Sequence, residues 1–307
     1  MSYRLPIIFL VVKKVYLVLG VFLLLVSNFR IHAQMNMTSI ENDNVKIAYN
    51  AIGKGDTTLL FVHGAFIDMS YWTSQIDFFK QHYQVIIVDL AGHGKSGKNR
   101  SSWSIQEFGN DVCALITTLH LKNVILIGHS MGGDVILEVA VRCKGVVIGF
   151  VGIDTFKNAG TPMPAVIQSQ IDQVMVMLKT DFAATSENYV RQALTSPLTD
   201  KSIVDRVVSD YRNMDKNIGI DVISSSFAFY DRERELMNQM KFKMYLINVD
   251  NVPTNDAYLK KYALSGYEVV TISGTCHFPM IEDPDEFNRL LQQTIGKIKA
   301  DSAHTVK

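Results

Sequence analysis

Val124-Ile125-Leu126-Ile127-Gly128-His129-Ser130-Met131-Gly132-Gly133 decides how this chain is read. Four consecutive apolar residues running into a turn predict a buried strand, and the stretch that follows, to about Cys143, is patterned as a helix. Strand, sharp turn and helix around Gly-x-Ser-x-Gly form the nucleophile elbow, the motif that exposes a reactive serine. Without those flanks the motif would say little. A residue at such a turn is held in a strained conformation, so small residues must flank it, and Gly128, Gly132 and Gly133 supply them. The flanks weigh against the plainer reading of a glycine-rich turn with an idle serine.

Outward from the elbow, short apolar strands alternate with amphipathic helices, the pattern of a parallel sheet covered on both faces. Strands are expected over residues 45–49, 58–62, 85–90, 124–127, 146–153, 243–249 and 268–272. Helices are expected over 70–82, with Trp72, Ile76 and Phe79 on one face, and over 105–119, with Phe108, Val112, Leu115 and Leu119. Others follow over 132–143, over 257–263, and from Pro284, where Phe287, Leu290, Leu291 and Ile295 form the stripe. Between about Phe156 and Met240 the alternation stops. That stretch reads as helical, broken by Pro162, Pro164 and Pro197, with Met163, Met175, Met177 and Met214 scattered through it. An all-helical insertion in an alternating frame reads as a lid over the carboxyl ends of the strands, where α/β sheets bind ligands. Its methionines read as lid-to-core packing, with a pliable pocket lining as the alternative. The expected organisation is a core over 35–155 and 241–300, a helical cap over 156–240 and a tail over 301–307.

With 307 residues, 48% of them hydrophobic, the chain is long enough to bury one large core with or without a subdomain. Its 30 basic and 30 acidic residues balance, and no block of like charge stands out. Nucleic acid is therefore not an expected partner, and a small, largely uncharged ligand is. Cys113, Cys143 and Cys276 make no disulfide framework. Cys113 and Cys143 read as buried small hydrophobes, with bridging of one pair left open in an oxidising compartment. No Cys/His spacing resembles a zinc site.

Lys13 and Lys14 precede an apolar run over residues 15–26, followed by Ser27, Asn28 and His32-Ala33-Gln34. Basic flank, apolar run and small residue describe an export signal over residues 1–34, cleaved near Ala33 or Gln34, with the mature chain starting near Met35. The run is short against the roughly 20 apolar residues of a membrane span. The further apolar stretch over residues 5–12 leaves an uncleaved membrane anchor as the alternative, and a misassigned start codon as a third reading. A periplasmic or secreted location is expected, with a membrane contact only in the anchored case.

Four segments carry a resemblance: Phe61-Val62-His63-Gly64-Ala65-Phe66, Asp89-Leu90-Ala91-Gly92-His93-Gly94-Lys95-Ser96, the elbow, and Cys276-His277-Phe278-Pro279-Met280-Ile281-Glu282-Asp283-Pro284. In this order, from about Val45 to the final helix, the chain resembles the lidded, esterase-like members of the α/β-hydrolase superfamily. The resemblance implies an α/β-hydrolase fold with a helical cap inserted between the strand ending at Asp154 and the strand starting near Lys243.

Ser130 is the expected nucleophile. A serine hydroxyl is a poor nucleophile near neutral pH and needs a base to take its proton. His277 follows the last strand, as the superfamily's histidine does, and imidazole suits proton transfer in both directions. Cys276 stands where relatives usually carry glycine. The oxyanion hole needs two main-chain N–H groups: Met131, after the nucleophile, and by resemblance Ala65, with Phe66 as the fallback. His129 is expected to shape the elbow and His63 to fix the oxyanion loop, while His93 reads as structural or exposed.

The acid is the open position. Most relatives carry it just past the penultimate strand, in a pattern like Gly-Asp-x-Asp-Pro. Here that segment is Val249-Asp250-Asn251-Val252-Pro253, with Val252 at the usual acid position. Asp154, ending the strand after the elbow helix, is one substitute and Asp250 another; Asp256 stands a distant third, and the absence of any acid is the last reading. Whichever serves must orient the imidazole and stabilise its charged form.

The resulting expectation is acyl transfer from an ester of a small to medium, largely apolar substrate, with no metal or organic cofactor. An amidase or peptidase, a carbon–carbon bond hydrolase and a cofactor-free peroxidase are alternatives within the same fold. A non-catalytic ligand-binding protein is the rival from another class.

Overall fold

The computed structural model describes residues 38–162 and 164–305; the expected export segment over 1–34 and Met163 lie outside the described residues. Eight strands build one sheet: β1 Thr38–Asn42, β2 Val45–Ile52, β3 Thr58–Val62, β4 Gln84–Val88, β5 Val124–His129, β6 Val147–Ile153, β7 Met244–Val249 and β8 Tyr267–Ile272. Their order is β1-β2-β4-β3-β5-β6-β7-β8. β2 pairs antiparallel with both β1 and β4, and every other pairing is parallel. Every residue of β3, β5 and β7 is buried, as expected of parallel strands covered on both faces. The edge strand β8 is mostly half-buried.

The helices are α1 Thr73–Phe79, α2 Ile105–Thr118, α3 Met131–Arg142, α4 Ala165–Thr180, α5 Phe182–Tyr189, α6 Lys201–Asn213, α7 Lys216–Phe227, α8 Tyr230–Gln239, α9 Ala257–Tyr262, α10 Pro279–Glu282 and α11 Pro284–Thr305. A π turn, Val190–Leu194, continues α5. Between β6 and β7 the described chain forms helices and no strand. Met175 and Met214 of that stretch pack half-buried against the core, and Met177 is exposed. None of the helices among the described residues is long and apolar enough to cross a membrane.

Three local features depart from the sequence reading. β1 was not expected, because Thr38–Asn42 buries only Ile40 and shows no sustained alternation. Asp43 and Asn44 pair it with β2, at φ 48° and 60°, the left-handed pair that a tight two-residue hairpin requires. The helix expected over 70–82 is split into a 3-10 turn, Met69–Trp72, and α1. Asp68 caps that turn by accepting from the Ser70 N–H, while Trp72, Ile76 and Phe79 still share the buried face. Finally, Cys113 and Cys143 are not separate buried hydrophobes: they are half-buried and joined as a disulfide between α2 and the residue after α3.

Buried polar groups hold the loops at the carboxyl ends of β3, β4 and β5. The Asp89 carboxylate accepts from the Met69 N–H at 2.8 Å and the Lys95 N–H at 2.7 Å, tying two loops together. Gly94, at φ 48°, lies so close that a Cβ there would fall 2.3 Å from that carboxylate. His63 Nδ1 donates to the Gly64 carbonyl at 2.7 Å and Nε2 accepts from the Leu90 N–H at 3.0 Å. Both nitrogens are thereby committed and a second proton would break a bond; burial lowers its pKa against the pull of Asp89. His93 is buried, not exposed, and it donates from Nδ1 to the Ala91 carbonyl at 3.0 Å.

Burial pushes His93 and His129 down to about 3, aided by the neighbouring imidazole of His63 in the first case and of His277 in the second. An unfolded chain takes up these protons as pH falls through the ordinary value of 6.5, whereas the folded chain does not. The stability they permit is therefore complete above that value and declines as pH falls toward 3. His93→Gln is expected to flatten the slope of unfolding free energy against pH, in urea titrations between about pH 4 and 6, by up to about 1.4 kcal/mol per pH unit. An unchanged slope would mean that the folded protein accepts the proton at His93.

Candidate active site

The elbow is built by backbone that approaches too closely for side chains. Ser130 adopts φ 52° and ψ −122° between β5 and α3. Its N–H donates to the Ile153 carbonyl of β6 at 2.9 Å, and its carbonyl accepts from the Gly133 N–H at 2.8 Å. A Cβ at Gly128 would fall 2.3 Å from the Gly132 carbonyl oxygen, and one at Gly132 would fall 2.6 Å from the carbonyl oxygens of Val62 and His63. One at Gly133 would meet Thr155 at 2.7 Å. The loop after β3 comes equally close: a Cβ at Gly64 would stand 3.1 Å from that of Ser130. Ala65 and Phe66 follow, with Phe66 at φ 64°.

His277 lies in the loop between β8 and α10, and that loop is clamped from both sides. The two oxygens of Glu282 accept from the N–H groups of Cys276 and Phe278, each at 3.0 Å. His129 Nε2 donates to the His277 carbonyl at 2.8 Å, so the residue before Ser130 also grips the histidine loop. Neither Glu282 nor this contact stood out in the sequence. Glu282 is the last residue of α10, two residues before Pro284 opens α11.

The carboxylate that meets His277 belongs to Asp154, with Oδ2 at 2.6 Å from Nδ1. Asp154 directly follows β6, at φ 44°. Its Oδ1 accepts from the Val249 N–H at 3.2 Å and pairs with Lys157 Nζ at 2.7 Å. Burial raises its pKa, but the bond and charge of His277, then those of Lys157, outweigh burial and hold the carboxyl below its ordinary value. Asp250 is exposed and lines a separate crevice with Pro253 and Thr254. Asp256 binds the Tyr267 hydroxyl at 2.7 Å and Lys260 at 2.9 Å. Asn248 fastens the end of β7 to Thr155, its amide accepting from the Thr155 N–H and donating to the Thr155 carbonyl, each at 3.1 Å.

Ser130, His277 and Asp154 line one cavity of about 280 Å³, together with Ala65, Phe66 and Met131. Val174 and Leu178 of α4 and Ile223 and Phe227 of α7 give it an apolar wall. Its polar side carries Asp134 of α3 and Glu233 of α8, neither singled out by the sequence reading. Burial, reinforced by the charge of Glu233, pushes Asp134 well above its ordinary pKa, and burial likewise raises Glu233. Among the described residues no group of three or more His, Cys, Asp or Glu side chains is arranged to hold a metal ion.

This geometry has relatives. A family model described as the alpha/beta hydrolase family matches residues 59–290. A putative esterase/lipase of Haemophilus influenzae is 26% identical over 248 residues, covering 78% of this chain and 83% of its own. The solved structure of Est816, an N-acyl homoserine lactone degrading enzyme, superposes with a TM-score of 0.71 at 23% identity, covering 83% of this chain and 99% of its own. A bromoperoxidase from Bacillus anthracis gives a TM-score of 0.73 at 19% identity, covering 86% of this chain and all of its own (100%). At such identities the two structures speak for the fold, while the family match spans most of the chain. The chain belongs to the alpha/beta hydrolase family and is a hydrolase.

Proposed function

We propose that this protein is a serine hydrolase that cleaves a carboxylic ester of a small to medium, largely apolar substrate through an acyl-enzyme on Ser130. The observation that carries the reading is the 2.6 Å contact between Asp154 and His277 at the wall of the cavity that Ser130 also lines. With Nδ1–H donated to Asp154, His277 Nε2 is free to take the Ser130 proton as Oγ attacks the substrate carbonyl. The developing oxyanion is met by the N–H of Met131, which opens α3 and adds the helix's N-terminal field, and by that of Ala65, or Phe66 in its place. Each such donor is worth about 2.7–4 kcal/mol in the transition state. Collapse expels the alcohol, which receives the proton from His277. Water, deprotonated by the same imidazole, then attacks the acyl-enzyme and releases the acid.

The helices over residues 156–240 act as the cap in this reading, and the size of the cavity supports a compact substrate. A lactone is a cyclic ester opened by the same steps, and the named activity of one structural relative makes lactones part of the substrate range to test. Export is proposed on the pattern of residues 13–34, with the Cys113–Cys143 pairing as support for an oxidising location.

A fluorophosphonate probe is expected to label the native protein at Ser130 and to leave Ser130→Ala unlabelled. No labelling of the folded wild type would favour a non-catalytic ligand-binding protein. On p-nitrophenyl butyrate, Asp154→Asn is expected to lower kcat by about 10³–10⁴-fold, with Asp250→Asn changing it only slightly; the reverse ranking would transfer the acid's role to Asp250. Intact mass of the protein from its native host should show a chain starting near Met35 in the soluble envelope or medium. A full-length chain released only by detergent would mean anchoring instead.

A further inference from the structure

The Asp154 carboxylate is engaged on both of its oxygens. Oδ2 meets His277, and Oδ1 pairs with Lys157 Nζ at 2.7 Å. Lys157 stands three residues further on, where the chain leaves β6 for the helices that precede β7. Its side chain is only 15% exposed, so solvent and salt screen the pair weakly. An ammonium on a four-carbon stem is mobile unless something fixes it. Here the loop after β7 does so twice. Asn251 Oδ1 accepts from Lys157 Nζ at 3.0 Å, and the Lys157 carbonyl accepts from the Asn255 N–H at 2.7 Å. Asn251 Nδ2 in turn donates to Cys276 Sγ at 3.3 Å, next to His277 in the chain. Asp154, Lys157, Asn251 and Cys276 thus form a run of contacts that leaves the carboxylate and returns to the histidine loop. The segment over residues 249–253, where the superfamily's usual acid would stand, here holds the counter-cation of the acid at β6.

We propose that Lys157 is a positioning residue for this hydrolase: fixed by Asn251, it anchors Asp154 for His277 and sets how far into acid pH the histidine works as a base. The proposal rests on acyl transfer at Ser130 with His277 as the base. Lys157 is not among the residues lining the cavity, so it acts through Asp154 and not on the substrate. A carboxylate beside an imidazole favours the imidazolium, and a protonated imidazole cannot take the Ser130 proton. The ammonium at Oδ1 offsets that pull, because a like charge nearby disfavours the second cation. The other groups around the pair supply no such charge. His129, its ring centroid 4.7 Å from that of His277, is buried and kept neutral. The Tyr189 phenol of α5, within reach of the Asp154 charge, and the Cys276 thiol are neutral near neutral pH. Glu282 commits both oxygens to main-chain N–H groups. Burial favours the neutral forms of Asp134 and Glu233, which line the cavity.

The test is the pH profile of kcat/KM on p-nitrophenyl butyrate for the full chain and for Lys157→Met, Lys157→Arg and Asn251→Ala. In Lys157→Met the imidazolium gains stability, so the acidic limb is expected to move to higher pH by about one pH unit, a loss of about tenfold at a given pH on that limb. Lys157→Arg keeps the charge and is expected to hold the limb close to that of the wild type. Asn251→Ala frees the ammonium and is expected to move the limb in the same direction as Lys157→Met, by less. A limb that stays in place or moves to lower pH in Lys157→Met shown by circular dichroism to be folded, or an arginine variant that behaves like the methionine one, would overturn the proposal. Should Lys157→Met fail to fold, Asn251→Ala decides by the same rule. Titration of the His277 imidazole by NMR in histidine-labelled protein, assigned against His277→Gln, reads the same charge without turnover. A midpoint that rises in Lys157→Met while no ester is cleaved would remove the hydrolase reading and leave the lysine's role standing; ester cleavage with an unmoved midpoint would do the reverse.

Discussion

A buried strand reverses into a helix at Ser130, and the left-handed backbone needed there constrains everything around it. Holding a non-glycine residue in that region costs about 1–3 kcal/mol. The surroundings hold it by packing main chain against main chain: the Ser130 N–H bonds to β6, and Gly128, Gly132 and Gly64 let β5, α3 and the loop after β3 approach closer than side chains permit. One consequence is that the first turn of α3 and the loop after β3 lie beside the serine, where Ala65 and Met131 line the same cavity. A second is that the end of β6, where Asp154 sits, is tied to the same turn.

Charge in this region is placed by burial and by pairing. Asp154 is buried yet kept ionised by His277 and Lys157, while His63, His93 and His129 are buried and kept neutral. The Glu138–Arg232 pair fastens α8 to the elbow helix. On the other side Tyr71 binds Asp210 of α6 at 2.6 Å and carries Arg206 over its ring. The helices between β6 and β7 are thus fixed to the sheet domain by polar contacts, and apolar side chains of α4 and α7 form part of the cavity wall.

Much of this was legible in the chain because periodicity is a local property. β3 falls on the expected residues, and α2, α3, β6 and β7 fall within a residue or two of them. β1 was not legible, since an edge strand with a single buried side chain, Ile40, leaves almost no pattern. The disulfide was not legible either, because cysteines at positions 113 and 143 look like any small hydrophobe until α2 and α3 are laid side by side.

The sequence by itself determined the elbow, the alternating frame, the helical stretch between β6 and β7 and the identities of a serine and a histidine suited to acyl transfer. It left three aspartates competing to meet that histidine. Only the tertiary structure distinguished them by position, because the distance from an imidazole to Asp154, Asp250 or Asp256 depends on how β6, β7 and the loop after β8 end beside one another in the sheet. The same holds for Asp134 and Glu233, which are far apart in the chain and meet only because α8 packs against α3.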